Sequence, residues 1–319
     1  MCSAATVFGL DVRTAAPISF LERAAAKPTG RELALELAAA DAPPPAWPEA
    51  AQVICEELAS AQTLNFRIEA HPDVGYRLWG PDYGCHVLSA DGRRLLCAPG
   101  GLAEHAWQRF LIAQVLPFAA LLHGLEVFHA SAVVREQRAI AFMGPSRSGK
   151  TSVALELCRL GAEFLADDVL SLEAAGAVLR GHPGAPIAGL DHAEALRRDD
   201  PGVGEGGADE QPQKPLATNA REQILRVPTV AAPAPLGALF LLDRRPDAPG
   251  PPSFEPIQDA LPLLTATFNF VLATPARLRR LLDVCALAAR VEVERVVFGP
   301  DVDASQLAGA VESRLASRP

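Results

Sequence analysis

The sequence has little of what marks exported, metal-storing or nucleic-acid-binding proteins. Its six cysteines are scattered over 319 residues, with no C-x-x-C pair and no histidines at a metal-binding spacing. Basic residues are outnumbered 29 to 38, which gives a net charge of −9 and offers no broad cationic surface to nucleic acid or anionic lipid. The first residues lack the basic start and apolar core of a signal peptide. We therefore expect a cytoplasmic protein that binds neither nucleic acid nor membrane.

The most apolar stretch, "FLIAQVLPFAALLHGLEVF" at 110–128, is interrupted by Pro117, His123 and Glu126. It falls short of the roughly 20 uninterrupted apolar residues that a membrane span needs. We interpret it as a buried helix.

Residues 1–102 are predicted to form a small α+β domain. The composition of residues 31–40 ("RELALELAAA") and 50–61 ("AAQVICEELASA") favours helices. The pieces that follow alternate apolar and polar residues as strands do, and Asp91 and Gly92 between two of them indicate a hairpin.

Residues 103–319 are predicted to form an α/β domain with a mixed sheet. "EVFHASAVV" and "QRAIAFM" indicate a hairpin, and the loop and helix that follow end at Gly161, a residue suited to cap a helix. "AEFLADDVLSL" and "APLGALFLLDRR" are predicted strands, and "DASQLAGAVESRLA" is a predicted terminal helix. Residues 197–215 are acidic, rich in glycine and without large apolar residues, which predicts a mobile surface loop.

The stretch "GPSRSGKTSVALEL" carries the chemistry. Gly144, Gly149, Lys150 and Thr151 match G-x-x-x-x-G-K-[ST] between an apolar strand and a helix, the context that a phosphate-binding loop requires. Its glycines allow backbone N–H groups to surround phosphate oxygens, Lys150 neutralises them, and the Thr151 hydroxyl can ligate Mg²⁺. The residues expected to bind the nucleotide are Gly144, Ser146, Arg147, Ser148, Gly149, Lys150, Thr151 and Ser152.

Two aspartates, Asp167 and Asp168, follow the next predicted strand. If that strand runs parallel to "RAIAFM", its carboxyl end lies beside the phosphate loop, where open α/β sheets bind ligands. One carboxylate can then serve Mg²⁺ while the other accepts a proton. An ordinary solvated turn is the alternative.

His129 lies on the first strand of the predicted hairpin. A hairpin centred near Glu136 places about Met143 opposite His129, which brings the imidazole to the mouth of the loop. Without this register, a single histidine in an apolar strand is more often a hydrogen-bonded residue of the core.

The string from His129 through "GPSRSGKTSVALELCRLGAEFLADD" resembles the catalytic core of bacterial HPr kinase/phosphorylase, a protein serine kinase with a phosphate-loop fold. The resemblance covers about residues 125–185. It implies that ATP and Mg²⁺ are bound, that Lys150 binds phosphate, and that Thr151 and Asp167 serve the metal. It further implies that His129 assists at the transferring group and that Asp168 accepts the proton.

The chain departs from this family at Val178, which stands where the family has a metal-binding glutamate, and in its N-terminal domain. The arrangement is more similar to stand-alone HPr-kinase-like proteins of biosynthetic clusters, some of which phosphorylate a serine of a ribosomal precursor peptide. The resemblance thus implies a peptide or protein acceptor with a serine hydroxyl. Relatives form symmetric assemblies, so a homo-oligomer is left open.

Two other functions remain open on the sequence. A nucleotide-binding sensor without turnover is favoured by Val178, and a small-molecule hydroxyl kinase would differ only in its acceptor. A GTPase is not indicated, because no Asn-Lys-x-Asp sequence is present. Further candidates for anion binding are Arg180, His182, Lys214, Arg277, Arg279 and Arg280.

Overall fold

The computed structural model describes residues 3–22, 24, 26–192, 195, 215–257, 261–268 and 272–317. The chain divides into two compact units, one of residues 1–127 and 267–282 and the other of residues 128–266 and 283–319. Residues 103–127 thus belong to the first unit, whereas the sequence pattern placed the boundary after residue 102. The predicted mobile loop at 197–215 falls, apart from Pro215, outside the described residues.

The first unit is built on a mixed eight-stranded sheet. Its strands are β1 Ser3–Val7, β2 Leu10–Thr14, β3 Glu32–Leu37, β4 Gln52–Ser60, β5 Thr63–His71, β6 Gly75–Gly80, β7 Gly84–Leu88 and β8 Arg94–Ala98. They lie in the order β1-β2-β3-β8-β7-β6-β5-β4, with β3 parallel to both neighbours. The apolar stretch at 110–128 is helical, as predicted, only as far as Leu122. Helix α1 Glu104–Phe110 leads into a π-helical turn Leu111–Val115 and α2 Leu116–Leu122, whereas the last residues of the stretch, Glu126–Phe128, form a strand.

The two helices predicted near the N-terminus are wrong. Residues 31–40 contain β3, in which Leu33 and Leu35 are buried and alternate with exposed residues. Residues 50–61 contain β4, which pairs with β5 along its length. In both segments a period of two and pairing with a neighbour outweigh a composition of good helix formers. The hairpin at Asp91 and Gly92 is confirmed by the pairing of β7 with β8.

The second unit contains the elements that follow Phe128, except for residues 267–282, which belong to the first unit. Strand β9 Glu126–Phe128 and the helix Pro275–Ala288 lie across the division. The strands of the second unit are β10 Ala130–Arg135, β11 Arg138–Met143, β12 Glu163–Ala166, β13 Leu170–Ala175, β14 Val178–His182, β15 Ile187–Asp191, β16 Ala217–Thr218, β17 Glu222–Arg226, β18 Ala234–Arg244, β19 Ser253–Pro256 and β20 Glu292–Phe298. The helices that complete the chain are α3 Lys150–Arg159, α4 Leu261–Thr265, α5 Pro275–Ala288 and α6 Ala304–Ala316.

Neighbouring strands β12, β10, β11 and β18 form the centre of the main sheet, and β20 pairs with β18. The sheet is mixed, as predicted: β11, β18 and β20 are parallel, whereas β10 is antiparallel to β11 and to β12. Strand β12 therefore runs in the same direction as β11. Both strands end at the same edge, so the expected meeting of their carboxyl ends is confirmed.

Helices α3 and α6 cover one face of this sheet. Val153, Ala154 and Leu157 of α3 share a core with Phe142, Phe240 and other residues of the central strands, because their spacing places them on one helix face. Helix α6 joins the same core through Leu307 and Val311. Its start is fixed by a capping box, in which Asp303 accepts from the Gln306 N–H and Gln306 accepts from the Asp303 N–H. No helix among the described residues is long and apolar enough to cross a membrane.

Candidate active site

The predicted phosphate loop joins β11 to α3 and depends on glycine at its first position. Gly144 has φ +146°, and a Cβ there would lie 2.7 Å from the Leu242 carbonyl oxygen and 2.9 Å from Ser148 Oγ. Gly149, just before α3, has φ +93°, which a residue with a side chain rarely adopts. The loop thus brings its backbone close to β18 and turns into the helix within a few residues.

Lys150 and Ser148 present polar atoms in this loop. Lys150 Nζ donates to the carbonyl oxygens of Gly144 at 3.0 Å and Pro145 at 2.9 Å. Burial lowers the pKa of Lys150, while the charges of Asp168 and Asp167 oppose that shift. Ser148 Oγ is buried and has no hydrogen-bond partner among the described residues. A buried hydroxyl without a partner costs free energy, so a further hydrogen-bonding group at Ser148 would be stabilising.

Asp167 is the best-connected side chain of the site. Its Oδ1 accepts from Ser131 Oγ at 2.6 Å and from Thr151 Oγ1 at 2.7 Å, and its Oδ2 accepts from the Gly189 N–H at 3.0 Å. Burial and the neighbouring charge of Asp168 raise the pKa of Asp167, while these three hydrogen bonds oppose the rise. The carboxylate is therefore held in one orientation against the first turn of α3.

Asp168 and His129 face the same space from neighbouring strands. Asp168 has φ +64°, a left-handed conformation that aspartate tolerates better than most residues. His129 is exposed, and its backbone N–H donates to the Ala266 carbonyl oxygen at 2.8 Å. The hairpin pairs Ala130 with Met143. Met143 therefore lies opposite Ala130, one residue away from the expected partner His129.

A cavity of about 710 Å³ collects these groups, a size typical of ligand-binding pockets. Its lining residues are His129, Gly144, Pro145, Ser146, Lys150, Asp168, Leu241, Leu242, Asp243, Thr265, Ala266 and Arg295. The residues predicted for the site that do not line it are Arg147, Ser148, Gly149, Thr151, Ser152 and Asp167. Among these, Thr151 and Asp167 are bonded to each other beside the loop, whereas Arg147 is turned outward, 3.9 Å from Asp191.

Several residues of the site were not singled out from the sequence. Ser131 and Gly189 hold Asp167, and Asp243 and Arg295 line the cavity. A signal for Asp243 was present, because "GALFLLD" is an apolar strand that ends in an aspartate, as metal-binding or ligand-binding strands often do. No comparable signal existed for the others, whose positions depend on strand register.

The further candidates lie elsewhere. Arg180 and His182 are on strand β14, not in the loop that the sequence suggested, and His182 is buried with its Nε2 at 2.9 Å from Glu173. The remaining candidates fall into three groups: Arg277 and Arg280 bind Glu126, Arg279 is exposed on α5, and Lys214 is outside the described residues.

The residues present fit a polyphosphate and one hard cation. The loop offers a glycine turn that no side chain could occupy, the ammonium of Lys150, and the unpartnered hydroxyl of Ser148. Thr151 Oγ1 and Asp167 supply the oxygen ligands that Mg²⁺ prefers when phosphates complete its shell. Among the described residues, no three His, Cys, Asp or Glu side chains cluster as a site that would hold a metal ion unaided.

Gly144→Ala is expected to weaken nucleotide binding roughly tenfold or more. The new Cβ would meet backbone and side-chain atoms at 2.7 and 2.9 Å, and the strain of one to a few kcal/mol would distort the loop. Gly176→Ala is the matched control, since Gly176 also has positive φ but has nothing within 4 Å. Equilibrium binding of ATP to both variants measures the difference, and equal losses in the two would contradict the role assigned to close packing.

No family model matches the chain, and no curated protein matches it. Among solved structures, the HPr(Ser) kinase/phosphatase from Coxiella burnetii is similar, with a TM-score of 0.31 and 14% sequence identity. The match covers 60% of this chain and 93% of that one. A similarity of this size leaves the function of the chain to be inferred from its own side chains.

Proposed function

We propose that this protein is an ATP-dependent kinase that transfers the terminal phosphoryl group to a hydroxyl, namely a serine of a peptide or protein. One observation carries the proposal: Lys150 of a complete phosphate loop and Asp168 line one cavity, and the Thr151–Asp167 pair lies beside it. This combination provides phosphate binding, a metal site and a proton acceptor within one site, which are the parts that phosphoryl transfer requires.

Binding of the donor begins at the loop. Lys150 exchanges its bonds to the Gly144 and Pro145 carbonyl oxygens for the outer phosphates of ATP. Backbone N–H groups at the start of α3 and the hydroxyl of Ser148 contact the remaining phosphate oxygens. Since Lys150 is already held at the loop, little side-chain entropy is lost when it changes partners.

Thr151 and Asp167 would hold Mg²⁺, and the ion would supply positive charge that neutralises the phosphates. Asp168 accepts the proton of the attacking serine hydroxyl, and the serine oxygen forms a bond to the terminal phosphorus. The bond from that phosphorus to the bridging oxygen breaks, and ADP leaves with the electron pair. His129 and Lys150 stabilise the charge on the transferring group.

The choice of serine as the acceptor is supported by the resemblance of the sequence motif to protein serine kinases, because the geometry of the cavity does not by itself select an acceptor. His129 and Ser146 are both exposed at the cavity, so a side chain of another protein can reach it. A small-molecule kinase would share every residue named above.

A nucleotide-binding sensor is the second candidate. Val178 is exposed at the start of β14 and offers no carboxylate where the resembling family has one. Such a protein would bind ATP and Mg²⁺ at the same loop but would not transfer the phosphoryl group.

The experiment that separates the two uses ATP labelled in its terminal phosphate, Mg²⁺ and a panel of serine peptides, each paired with its Ser→Ala counterpart. A kinase labels the serine peptide but not the counterpart in which that serine is replaced by alanine. Tight ATP binding without transfer to any acceptor in the panel would favour the sensor, and labelling of free hydroxyl compounds alone would favour the small-molecule kinase.

Ser131→Ala is expected to make the Mg²⁺ dependence of the reaction more sensitive to acid. The hydrogen bond from Ser131 lowers the pKa of Asp167, so its loss moves that pKa further up. Asp167 must be ionised to bind the metal, and the variant therefore loses Mg²⁺ affinity at a higher pH than the wild type as the pH falls.

Mg²⁺ titrations of the labelling rate at a series of pH values measure this shift. Ser171→Ala is the control, because Ser171 is also a buried serine of the second unit but has no role at Asp167. An unchanged pH profile in the Ser131 variant would show that its hydroxyl does not govern the ionisation of Asp167.

A further inference from the structure

One row of residues crosses the parallel part of the main sheet and leads away from the phosphate loop. Met143 of β11 pairs with Leu241 of β18, and Leu241 pairs with Arg295 of β20. Partners in register lie on the same side of a sheet, one strand spacing of about 4.8 Å apart. Arg295 is thus roughly 9–10 Å from the residue that precedes Gly144.

Arg295 presents an unused donor at this distance. It lines the cavity, and its Nε is buried without a hydrogen-bond partner among the described residues. The nearest acidic atom is Asp243 Oδ2 at 3.9 Å, beyond hydrogen-bonding distance. The Nε–H is buried although the side chain is 39% exposed, and a buried donor left unpaired costs free energy, so this position is better explained by a ligand than by the stability of the fold.

Asp243 presents an unused acceptor beside it. Both Nε and Nη2 of Arg245 bind Oδ2 of Asp243, at 3.0 and 2.7 Å. Within the described part of the chain, Oδ1 accepts no hydrogen bond. Arg245 therefore holds the carboxylate in place and leaves one oxygen available at the cavity wall, which the apolar residue Leu241 also lines.

The ends of the cavity differ in chemistry. Asp168 follows β12 and His129 precedes β10, and both strands lie on one side of β11. Asp243 and Arg295 are on β18 and β20, on the other side of β11. In the proposed function the terminal phosphate points toward Asp168, so the rest of the donor must extend toward β18 and β20.

We propose that Asp243 and Arg295 form the nucleoside subsite of this cavity, an inference that rests on the proposed function. Asp243 accepts hydrogen bonds from the ribose hydroxyls, and Arg295 donates to the base, whose apolar face lies over Leu241. A carboxylate with one free oxygen matches a sugar diol, and the planar fork of arginine matches the ring nitrogens of a base.

The test compares three ligands by calorimetry: ATP, 2′,3′-dideoxyATP and inorganic tripolyphosphate, which has no nucleoside. Asp243→Asn and Arg295→Leu should each weaken ATP binding roughly 10- to 100-fold and leave tripolyphosphate binding unchanged. Wild type should prefer ATP to dideoxyATP by roughly tenfold or more, and Asp243→Asn should lose most of that preference.

The controls are Arg138→Gln and Asp301→Asn, exposed residues of the same unit that do not line the cavity. Unfolding midpoints show whether each variant is folded. Arg295→Lys, which keeps the charge but not the fork, should recover only part of the ATP affinity if the loss is one of recognition.

The assignment is overturned if both variants weaken ATP and tripolyphosphate equally, if neither weakens ATP, or if only the acceptor KM rises. It is also overturned if wild type binds tripolyphosphate as tightly as ATP. Transfer of labelled phosphate is measured on the same preparations. If the wild type prefers ATP through these residues but labels no acceptor, the proposed kinase activity is wrong and the assignment of the nucleoside subsite stands.

Discussion

Asp168→Asn is expected to reduce phosphoryl transfer by roughly 10²–10⁴-fold, the range that a positioned proton acceptor contributes, while ATP still binds. Asparagine has nearly the same shape and tolerates the left-handed conformation that Asp168 adopts at φ +64°. The substitution therefore removes the basic carboxylate from the cavity and leaves the loop backbone in place.

Loss of the Asp168 charge lowers the pKa of both of its titratable neighbours, Asp167 and Lys150. The pKa of Asp167 falls, because the charge of Asp168 helps to raise it, so the metal ligand is more readily ionised. The pKa of Lys150 also falls, because the same charge supports its protonated form. Loss of the same charge also removes attraction for a cation, so a Mg²⁺ titration of the variant is needed to separate loss of the proton acceptor from weaker metal binding.

Two other variants separate proton transfer from binding. Lys150→Met removes the ammonium that the loop carbonyls hold and is expected to weaken ATP binding itself. Asp301→Asn changes an exposed aspartate away from the cavity and should leave rate and affinity unchanged. Asp168→Asn that retained more than about a tenth of the wild-type rate would exclude the assigned role.

The centre of the site could be predicted from the sequence because its chemistry is local. The predicted phosphate loop is a contiguous stretch in which the glycines, Lys150 and Thr151 match one short motif. The link from Thr151 to Asp167 crosses only one helix and one strand. A single topological expectation, that the two strands run in the same direction, was enough to bring the aspartates to the loop.

The rest of the site depends on register between distant strands, which no short pattern encodes. Ser131 and Gly189 reach Asp167 from two different strands, and Arg295 is aligned with the loop only through β18. Strands β3 and β4 were predicted as helices for the same reason: their Glu, Leu and Ala content favours a helix, and only their partners in the sheet decide otherwise.

Arg277 shows how a basic helix can be misjudged. "PARLRRLL" suggested cations that clamp an anionic substrate, but Arg277 is buried and its Nε is 3.3 Å from Oε2 of Glu126. Arg280 Nε donates to Oε1 of the same carboxylate at 2.8 Å. Burial lowers the pKa of Arg277, and the charge of Glu126 opposes that effect. These arginines therefore bind an anion of the protein itself.

Glu126→Gln is accordingly expected to lower the free energy of unfolding by about 3–5 kcal/mol, as removal of one partner of a buried ion pair does. Glu126 is fully buried at the start of β9, and its carboxylate pairs with Arg277 and Arg280 of α5. The amide keeps the shape of the side chain but not its charge. Arg277 then retains a buried positive charge without its carboxylate partner, while its Nη2 still donates to the Phe268 carbonyl oxygen at 2.8 Å.

Denaturant unfolding measures the effect, with Glu49→Gln as the exposed control, which should change stability by no more than about 0.5 kcal/mol. The double variant Glu126→Leu/Arg277→Leu tests the cause. If the penalty comes from an uncompensated charge, removal of both charges restores much of the lost stability, because apolar residues tolerate burial. Arg280, whose side chain is 30% exposed, can turn its charge toward water. A double variant as unstable as Glu126→Gln would instead indicate that the hydrogen-bond geometry of Glu126, not its charge, holds α5 in place.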